Sequence, residues 1–197
     1  MRVLHYFLAI LLIKIIMMIL RQLNLGGIKM EEKVWKAIQD IYPDDYAWCY
    51  GCGRLNENGY QLRTGWFGEK TVTYYTPRPE HKSIPGFVYG GLLASLMDCH
   101  GTGSAALFLH RKNGNEIGDG VAPPRFVTAS LKVDYQHPTP DGETLKAIGT
   151  VEEIHPKKYK VYTEIFAGDK LVVTGEVIAV VMPKTFRTDE KNHKSPN

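Results

Sequence analysis

The segment from residue 90 to about residue 109 constrains the fold of this chain more than any other. It is the one long apolar run with helical periodicity in the body of the sequence, and an irregular approach through Pro85 and Gly86 leads into it. A helix this apolar must be covered on most of its sides. Segments with strand signals precede and follow it, so the order of elements predicts an α+β fold, with a curved antiparallel sheet wrapped around one long central helix.

The predicted strands flank that helix in the sequence. Two short strands before it form a hairpin, and four more follow after a polar, glycine-rich loop over 110–124. A short helix is predicted over 31–41 and ends before Pro43, which cannot continue it. The predicted strands are 60–66, 71–75, 125–136, 144–154, 159–167 and 171–182.

Residues 125–136 show the most regular alternation in the chain. Successive side chains of a strand point to opposite faces. The alternation therefore predicts that Phe126 and Thr128 lie on one face of this strand, and that Val133 and Tyr135 lie on the other.

The charge distribution separates the start of the chain from its body. The formal net charge is +3, and residues 1–29 alone carry four basic residues and no acid, which leaves −1 for the rest. A nearly neutral body lacks the basic face that nucleic-acid binding needs, so we expect no nucleic-acid partner. Three cysteines cannot all pair, which argues against a secreted disulfide framework and favours a reducing cytoplasm.

Residues 1–29 form an apolar extension with several interpretations. The run from Val3 to Leu20 has a suitable length for a membrane helix, but Lys14 interrupts it and no small-residue cleavage site follows. It is either an over-extended reading frame, with Met30 as the true start, or a membrane or surface anchor; a signal peptide fits less well. Membrane contact is expected only if this segment is expressed. The predicted domain then spans 30–183, followed by a polar tail over 184–197.

The start of the central helix carries the candidate chemistry. Gly90 and Gly91 open the helix, where free backbone N–H groups and the helix dipole favour negative charge. Asp98 lies two turns later, in an apolar stretch where an unpaired carboxylate is costly to bury. An oxyanion site together with a single acid indicates acyl transfer. The structural alternative is that the glycines only let the helix begin close to a neighbouring backbone.

The spacing of these residues predicts a site shared between two chains. Gly91 and Asp98 are seven residues apart, so they lie on one helix face but about 10.5 Å apart along the axis. One small carbonyl group cannot contact both. Since the sequence predicts one such helix, the second group must come from another subunit. We therefore expect a dimer with two composite sites, each taking Gly91 from one chain and Asp98 from the other.

The motif Tyr89-Gly90-Gly91, followed by six residues and Asp98, resembles the loop–helix motif of the PaaI-like hotdog-fold acyl-CoA thioesterase superfamily. The resemblance is greatest to the group that contains thioesterase superfamily members 4 and 5. A second matching segment is the strand from Val127 to Pro138 with its Tyr-x-x-Pro ending. The segment Cys49-Tyr-Gly-Cys52-Gly53 also occurs in bacterial members, and the match spans roughly residues 45–183.

The resemblance implies hydrolysis of acyl-CoA thioesters, a role in fatty acid metabolism, and a homodimer or tetramer. Asp98 is then the general base or the nucleophile, and the Gly91 amide, with that of Gly90, is the oxyanion donor. Thr128 matches a threonine that the family places near the acid, and Thr102 lies one turn after Asp98. Tyr89 stands where the family has His, Asn or Gln, so the alternative is a non-catalytic acyl-CoA-binding protein.

The remaining polar residues lead to weaker expectations. The coenzyme A phosphates need basic partners, and Arg125, Lys157 and Lys158 are candidates. Coenzyme A is part of the substrate, so no separate cofactor is expected. Cys49 and Cys52 have the spacing of a zinc or redox pair, but the sequence has no second pair. We therefore expect no metal and a tight loop near the substrate. For the neighbours of Asp98 we expect structural roles, with Cys99 as a small core residue and His100 as a polar spectator.

Overall fold

The computed structural model describes residue 34 and residues 36–186. The predictions for residues 1–29, for the helix start at 31–33 and for the tail beyond residue 186 lie outside the described residues. Where the predicted first helix ends, the structure has a 3-10 turn, Ile38–Ile41, and a second such turn at Asp44–Tyr46. The Asp40 carboxylate accepts a hydrogen bond from the Ala37 amide at 3.2 Å, which holds this tight turn in place of a longer α-helix.

The central helix, α1 (Gly90–Lys112), begins where the sequence predicted and runs three residues longer. Basic side chains over 110–112 suit the negative end of the helix dipole. The helix ends at Lys112, and Gly114, just beyond the C-cap Asn113, adopts a left-handed conformation with φ +81° and donates to the Arg111 carbonyl. Helix α1 is long and apolar enough to span a membrane. However, 72% of its apolar 18-residue stretch is buried inside the protein, as in the core helix of a globular protein.

Six strands form one antiparallel sheet that packs against α1, which confirms the predicted fold class. The order across the sheet is β1-β2-β4-β5-β6-β3, so the strand that follows the helix lies at an edge. The first strand begins later than predicted because Gln61 has a left-handed φ of 51°. The strands are β1 (Thr64–Phe67), β2 (Lys70–Tyr75), β3 (Phe126–Tyr135), β4 (Leu145–His155), β5 (Lys158–Ala167) and β6 (Lys170–Val181).

Close packing between α1 and its neighbours explains two glycines, Gly101 and Gly103, inside the helix. A Cβ on Gly101 would lie 2.6 Å from the side chain of Val177 in β6. A Cβ on Gly103 would lie 2.7 Å from the Gln39 side chain and 2.8 Å from that of Thr64. The sheet therefore approaches the helix more closely than alanine would permit.

A β-bulge in β3 overturns the predicted alternation along that strand. Thr128 is opposite Ala179 and Ser130 is opposite Ile178, so an extra residue is inserted between the two pairs. The insertion reverses the faces beyond it. Thr128 bonds to α1, and Tyr135, predicted to face the other way, also bonds to α1. Both ends of β3 therefore present side chains to the same helix.

Candidate active site

The N-terminus of α1 presents backbone amides that the helix does not use. Leu92 is the first residue whose amide bonds back to the turn, to the Tyr89 carbonyl at 3.1 Å. The amides of Gly90 and Gly91 precede it, as orphan donors at the positive end of the helix dipole. The preceding residue, Tyr89, is extended and makes no side-chain cap. These two amides can bind an oxyanion.

Two tyrosines surround this helix start. The ring of Tyr89 folds back over Gly91, so that a Cβ on Gly91 would lie 2.3 Å from the tyrosine hydroxyl oxygen. Tyr135, at the end of β3, donates from its hydroxyl to the Gly90 carbonyl at 2.9 Å. The sequence did not assign Tyr135 to the site, although it belongs to the Tyr-x-x-Pro segment. Glycine at position 91 thus leaves room for the Tyr89 ring as well as exposing an amide.

An open cavity of about 440 Å³ lies beside the helix start. The loop before α1 supplies Phe87 and Val88 to its lining, the helix supplies Gly90 and Leu93, and β3 supplies Tyr135. Its lining is mainly apolar, which suits an acyl group next to the glycine amides. Asp98 does not line this cavity. Within one chain, therefore, the structure places the amides and the acid in separate surroundings.

Asp98 is half-buried and accepts a hydrogen bond from the hydroxyl of Thr128 in β3. Burial raises the pKa of this carboxyl group above its usual range, while the Thr128 hydrogen bond acts in the opposite direction. The sequence proposed Thr128 as a neighbour of the acid, and the structure has that contact. A fixed carboxylate that is partly shielded from water is suited to act as a base or a nucleophile.

Thr102 does not reach the carboxylate. Its hydroxyl donates to the backbone carbonyls of Asp98 and Cys99, at 3.2 and 3.3 Å. Such back-bonding is common for threonine inside a helix, where it satisfies the hydroxyl locally. The structure therefore gives Thr102 a local partner within the helix and brings only Thr128 to the side chain of Asp98.

His100 contacts a different strand from Asp98. It is fully buried, and its Nδ1 atom lies 2.9 Å from the Thr73 hydroxyl oxygen of β2. Its other ring nitrogen lies 3.5 Å from the hydroxyl oxygens of Thr71 and Ser104. Burial lowers the pKa of His100 to about 3, so the ring is neutral at physiological pH. This agrees with the predicted role as a spectator in the chemistry.

The three candidate phosphate contacts lie away from the helix start. Arg125 is half-buried, with its guanidinium carbon 4.7 Å from the centre of the Tyr42 ring. Lys157 and Lys158 are exposed at the turn between β4 and β5. Lys158 is opposite Val180 of β6, and Val180 is opposite Val127 at the beginning of β3. Gly90, in contrast, accepts a hydrogen bond from Tyr135 at the end of β3. A single chain therefore does not bring these residues to the glycine amides.

The structure brings all three cysteines together. The sulfur atoms of Cys49, Cys52 and Cys99 lie within 4.8 Å of one another. The sequence placed Cys99 in the core and treated Cys49 and Cys52 as a loop pair. No local signal linked the two segments, because the contact depends on how the loop packs against α1.

The comparisons with known proteins identify the family. The model of the thioesterase superfamily matches residues 85–178. A thioesterase superfamily protein of known structure from Shewanella loihica is 41% identical, and the match covers 72% of this chain and 100% of that one, with a TM-score of 0.55. The chain belongs to the thioesterase superfamily, which confirms the resemblance found in the sequence.

Two more proteins are similar to this chain, one in fold and one in sequence. The PaaI protein from the phenylacetic acid degradation operon of E. coli shares the fold, with a TM-score of 0.50 at 17% identity over 63% of this chain and 81% of that one. The acyl-coenzyme A thioesterase THEM4 of Xenopus laevis is 30% identical over 111 residues, 56% of this chain. The match spans only 44% of that relative's length. Membership of the superfamily supports thioester hydrolysis in general.

Proposed function

We propose that this protein hydrolyses acyl-CoA thioesters to a carboxylic acid and free coenzyme A. The observation that carries the proposal is the pairing of two features on α1: unbonded glycine amides at its start and the half-buried Asp98 held by Thr128. Thioester hydrolysis needs an oxyanion donor and an activated oxygen nucleophile, and these features supply one of each. Similarity to an acyl-coenzyme A thioesterase supports coenzyme A as the leaving group.

The reaction follows from these two groups along either of two routes. As a base, Asp98 takes a proton from water while the water oxygen attacks the carbonyl carbon, and the amides hold the resulting oxyanion. The C–S bond then breaks, and the coenzyme A thiolate takes up the proton. As a nucleophile, Asp98 attacks the carbonyl carbon, and the C–S bond breaks to give a mixed anhydride and the coenzyme A thiolate. Water then hydrolyses the anhydride, which regenerates the Asp98 carboxylate and supplies the proton that the thiolate takes up. Neither route requires a resident cofactor.

The proposed active form is a homodimer with two composite sites. Gly91 and Asp98 belong to the same continuous helix and are seven residues apart, about 10.5 Å along its axis. The cavity at Gly90 does not include Asp98. Strand β3 lies at the sheet edge, and its residues 129–132 are exposed, which leaves a surface for a second copy. A dimer of dimers, a cytoplasmic location and a role in fatty acid metabolism remain predictions.

One observation favours the second candidate, a non-catalytic acyl-CoA-binding protein. The Tyr89 ring covers Gly91, so a substrate carbonyl must share this space with the ring or displace it. The catalytic candidate is compatible with the same ring, because Tyr89 is 53% exposed and has room to swing away from Gly91. Its hydroxyl is also a hydrogen-bond donor near the proposed oxyanion position.

A panel of acyl-CoAs with short, long and aromatic acyl groups distinguishes the two candidates. We expect thiol release from at least one class with the wild-type protein and its loss in Asp98→Asn. Asp134→Asn is the matched control, because this acid pairs with the exposed Lys132 on the same edge strand. Binding of acyl-CoA without thiol release would favour the non-catalytic protein. Full activity in Asp98→Asn would refute the assigned role of this carboxylate.

A further inference from the structure

The three cysteines of this chain form one cluster that the proposed reaction does not use. Cys49 and Cys52 lie in the loop before β1, and Cys99 lies in α1. The Cys49 and Cys99 sulfur atoms are 4.0 Å apart, and all three sulfurs lie within 4.8 Å of one another. Cys52 and Cys99 are buried, and Cys49 is partly exposed. The full sequence contains three cysteines, so every one of them is in this cluster.

The loop is shaped to bring these sulfurs together. The Gly53 amide donates to the Cys49 carbonyl at 2.7 Å, and a Cβ on Gly53 would lie 2.5 Å from the Ala47 carbonyl oxygen. A Cβ on Gly51 would lie 2.3 Å from the Cys99 sulfur. Glycine at position 53 therefore permits the tight turn, and glycine at position 51 lets the helix cysteine approach the loop.

The close approach of the three sulfurs also suits a cation. The thiolate is the form of cysteine that ligates metals, and the Cys49 and Cys99 sulfurs are only 4.0 Å apart. Without a cation, three thiolates this close together, two of them on buried residues, would be strongly unfavourable.

We propose that Cys49, Cys52 and Cys99 bind one thiophilic metal ion, Zn²⁺ or Cu⁺. Soft thiolate ligands select these ions. With Zn–S bonds of about 2.3 Å, a tetrahedral site places its sulfurs about 3.8 Å apart. The observed separations need to shorten by 1 Å or less to reach this value. This proposal replaces the expectation of no metal, which rested on the single pair Cys49 and Cys52.

A disulfide fits the same geometry less well. A disulfide bond is about 2.05 Å long, so the 4.0 Å pair would have to close by about 2 Å. It would also use two of the three thiols and leave the third beside them. In the part of the chain that the structure describes, no fourth His, Cys or carboxylate joins the cluster. The fourth position of a tetrahedral ion is then left to water or to an exogenous ligand.

The site has a structural consequence for the proposed chemistry. Cys99 directly follows Asp98 in α1, and the loop that carries Cys49 and Cys52 packs against this part of the helix. A bound ion would tie the loop to the helix next to the acid. Its effect is therefore on stability and on the position of the backbone, and no step of thioester hydrolysis passes through it.

The metal content of the full-length protein, purified without chelators, tests the proposal. We expect about one Zn or Cu atom per chain by elemental analysis. After chelation, added Co²⁺ should give sulfur-to-cobalt charge-transfer absorption and the strong visible bands of a tetrahedral site. Cys49→Ser, Cys52→Ser and Cys99→Ser should each lose these bands. Tyr50→Phe is the matched control, because it changes the same loop without removing a ligand, and it should keep them.

A measurement on the wild-type protein covers the case in which the serine variants do not fold. Bound metal should protect the partly exposed Cys49 thiol from alkylation, and a chelator should make it reactive. The proposal is overturned by protein that contains no metal and gives no cobalt spectrum. It is also overturned by a mass two hydrogens lighter with one reactive thiol, which would show a disulfide. None of these readouts depends on thioesterase activity.

Discussion

Asp98 and His100 are two residues apart on α1, yet they differ in burial and in the strands that they contact. Asp98 is half-buried and bonds to Thr128 on the edge strand β3. His100 is fully buried and bonds to Thr73 on β2, inside the sheet. A step of two residues turns the side chain through about 200° around a helix, which separates the two faces.

This difference shows how one helix combines chemistry with structure. On the inner face, threonine and serine hydroxyls satisfy His100, and burial keeps the ring neutral. On the outer face, burial raises the pKa of Asp98 while the open sheet edge leaves it accessible. Replacing the outer acid should therefore affect activity, and replacing the inner histidine should affect stability.

The largest expected effect is on catalysis. Asp98→Asn should lower kcat by about 10²–10⁴-fold, the usual contribution of a positioned acid or base. Its free energy of unfolding should change by less than about 1 kcal/mol, because asparagine keeps the shape and can still accept the Thr128 hydrogen bond. Thiol-release kinetics and denaturant unfolding measure the two effects. A large loss of stability would mean that Asp98 is mainly a structural residue.

The inner face should respond in the opposite way. His100→Ala should cost about 3–4 kcal/mol of unfolding free energy, because it leaves a cavity and removes the partner of the Thr73 hydroxyl. Ser104→Ala is the smaller comparison, since it removes one hydroxyl from the same group. Urea unfolding measures both. If His100→Ala were as stable as the wild type but inactive, the division between the two faces would be wrong.

A third face of the helix tests close packing. Gly101→Ala should destabilise the fold by about 1–3 kcal/mol, because the added methyl group meets Val177, although alanine favours helices. Val177→Ala in the same chain should remove part of that cost. A double-mutant cycle in urea measures the coupling. Additive effects would show that the two residues do not contact each other.

The smallest effect concerns how the acid is held. Thr128→Val should lower kcat by about tenfold, equivalent to about 1.4 kcal/mol, because it removes a hydrogen bond to a charged group. Thr128→Ser keeps the hydroxyl and should retain most of the activity. Thiol release under saturating acyl-CoA measures both variants. Equal activity in the valine and serine variants would show that the Thr128 hydrogen bond does not contribute to catalysis.

The sequence predicted α1 and the order of the strands along the chain well, because both have strong periodic signals. The helix start at Gly90 and the hairpin between β1 and β2 are confirmed. The predicted face of Tyr135 was wrong, because a β-bulge beside Thr128 reverses the faces beyond it. This bulge depends on pairing with β6 and not on the local alternation. Tertiary packing decides such details.

In the candidate site, too, the local sequence predicts some features and tertiary packing decides others. The motif from Tyr89 to Asp98 lies within one helical segment, so its spacing could be read directly. The approach of Cys99 to the loop cysteines joins segments 50 residues apart. Neither periodicity nor motif spacing reports on such a contact. The fold of the Tyr89 ring over Gly91 is equally invisible in the sequence, since it depends on a rotamer.

The central claim is that each active site combines Gly91 of one chain with Asp98 of another. Gly91→Pro removes the amide hydrogen at a helix position where proline is tolerated. Gly91→Ala is its matched control, because its Cβ also displaces the Tyr89 ring but keeps the amide.

Thiol release by heterodimers of Gly91→Pro and Asp98→Asn chains, isolated through two different affinity tags, tests this claim most directly. Each parent homodimer should be nearly inactive. The heterodimer should recover about half of the wild-type activity, because one of its two sites then receives both intact groups. Heterodimers as inactive as their parents, or a fully active wild-type monomer, would contradict the account.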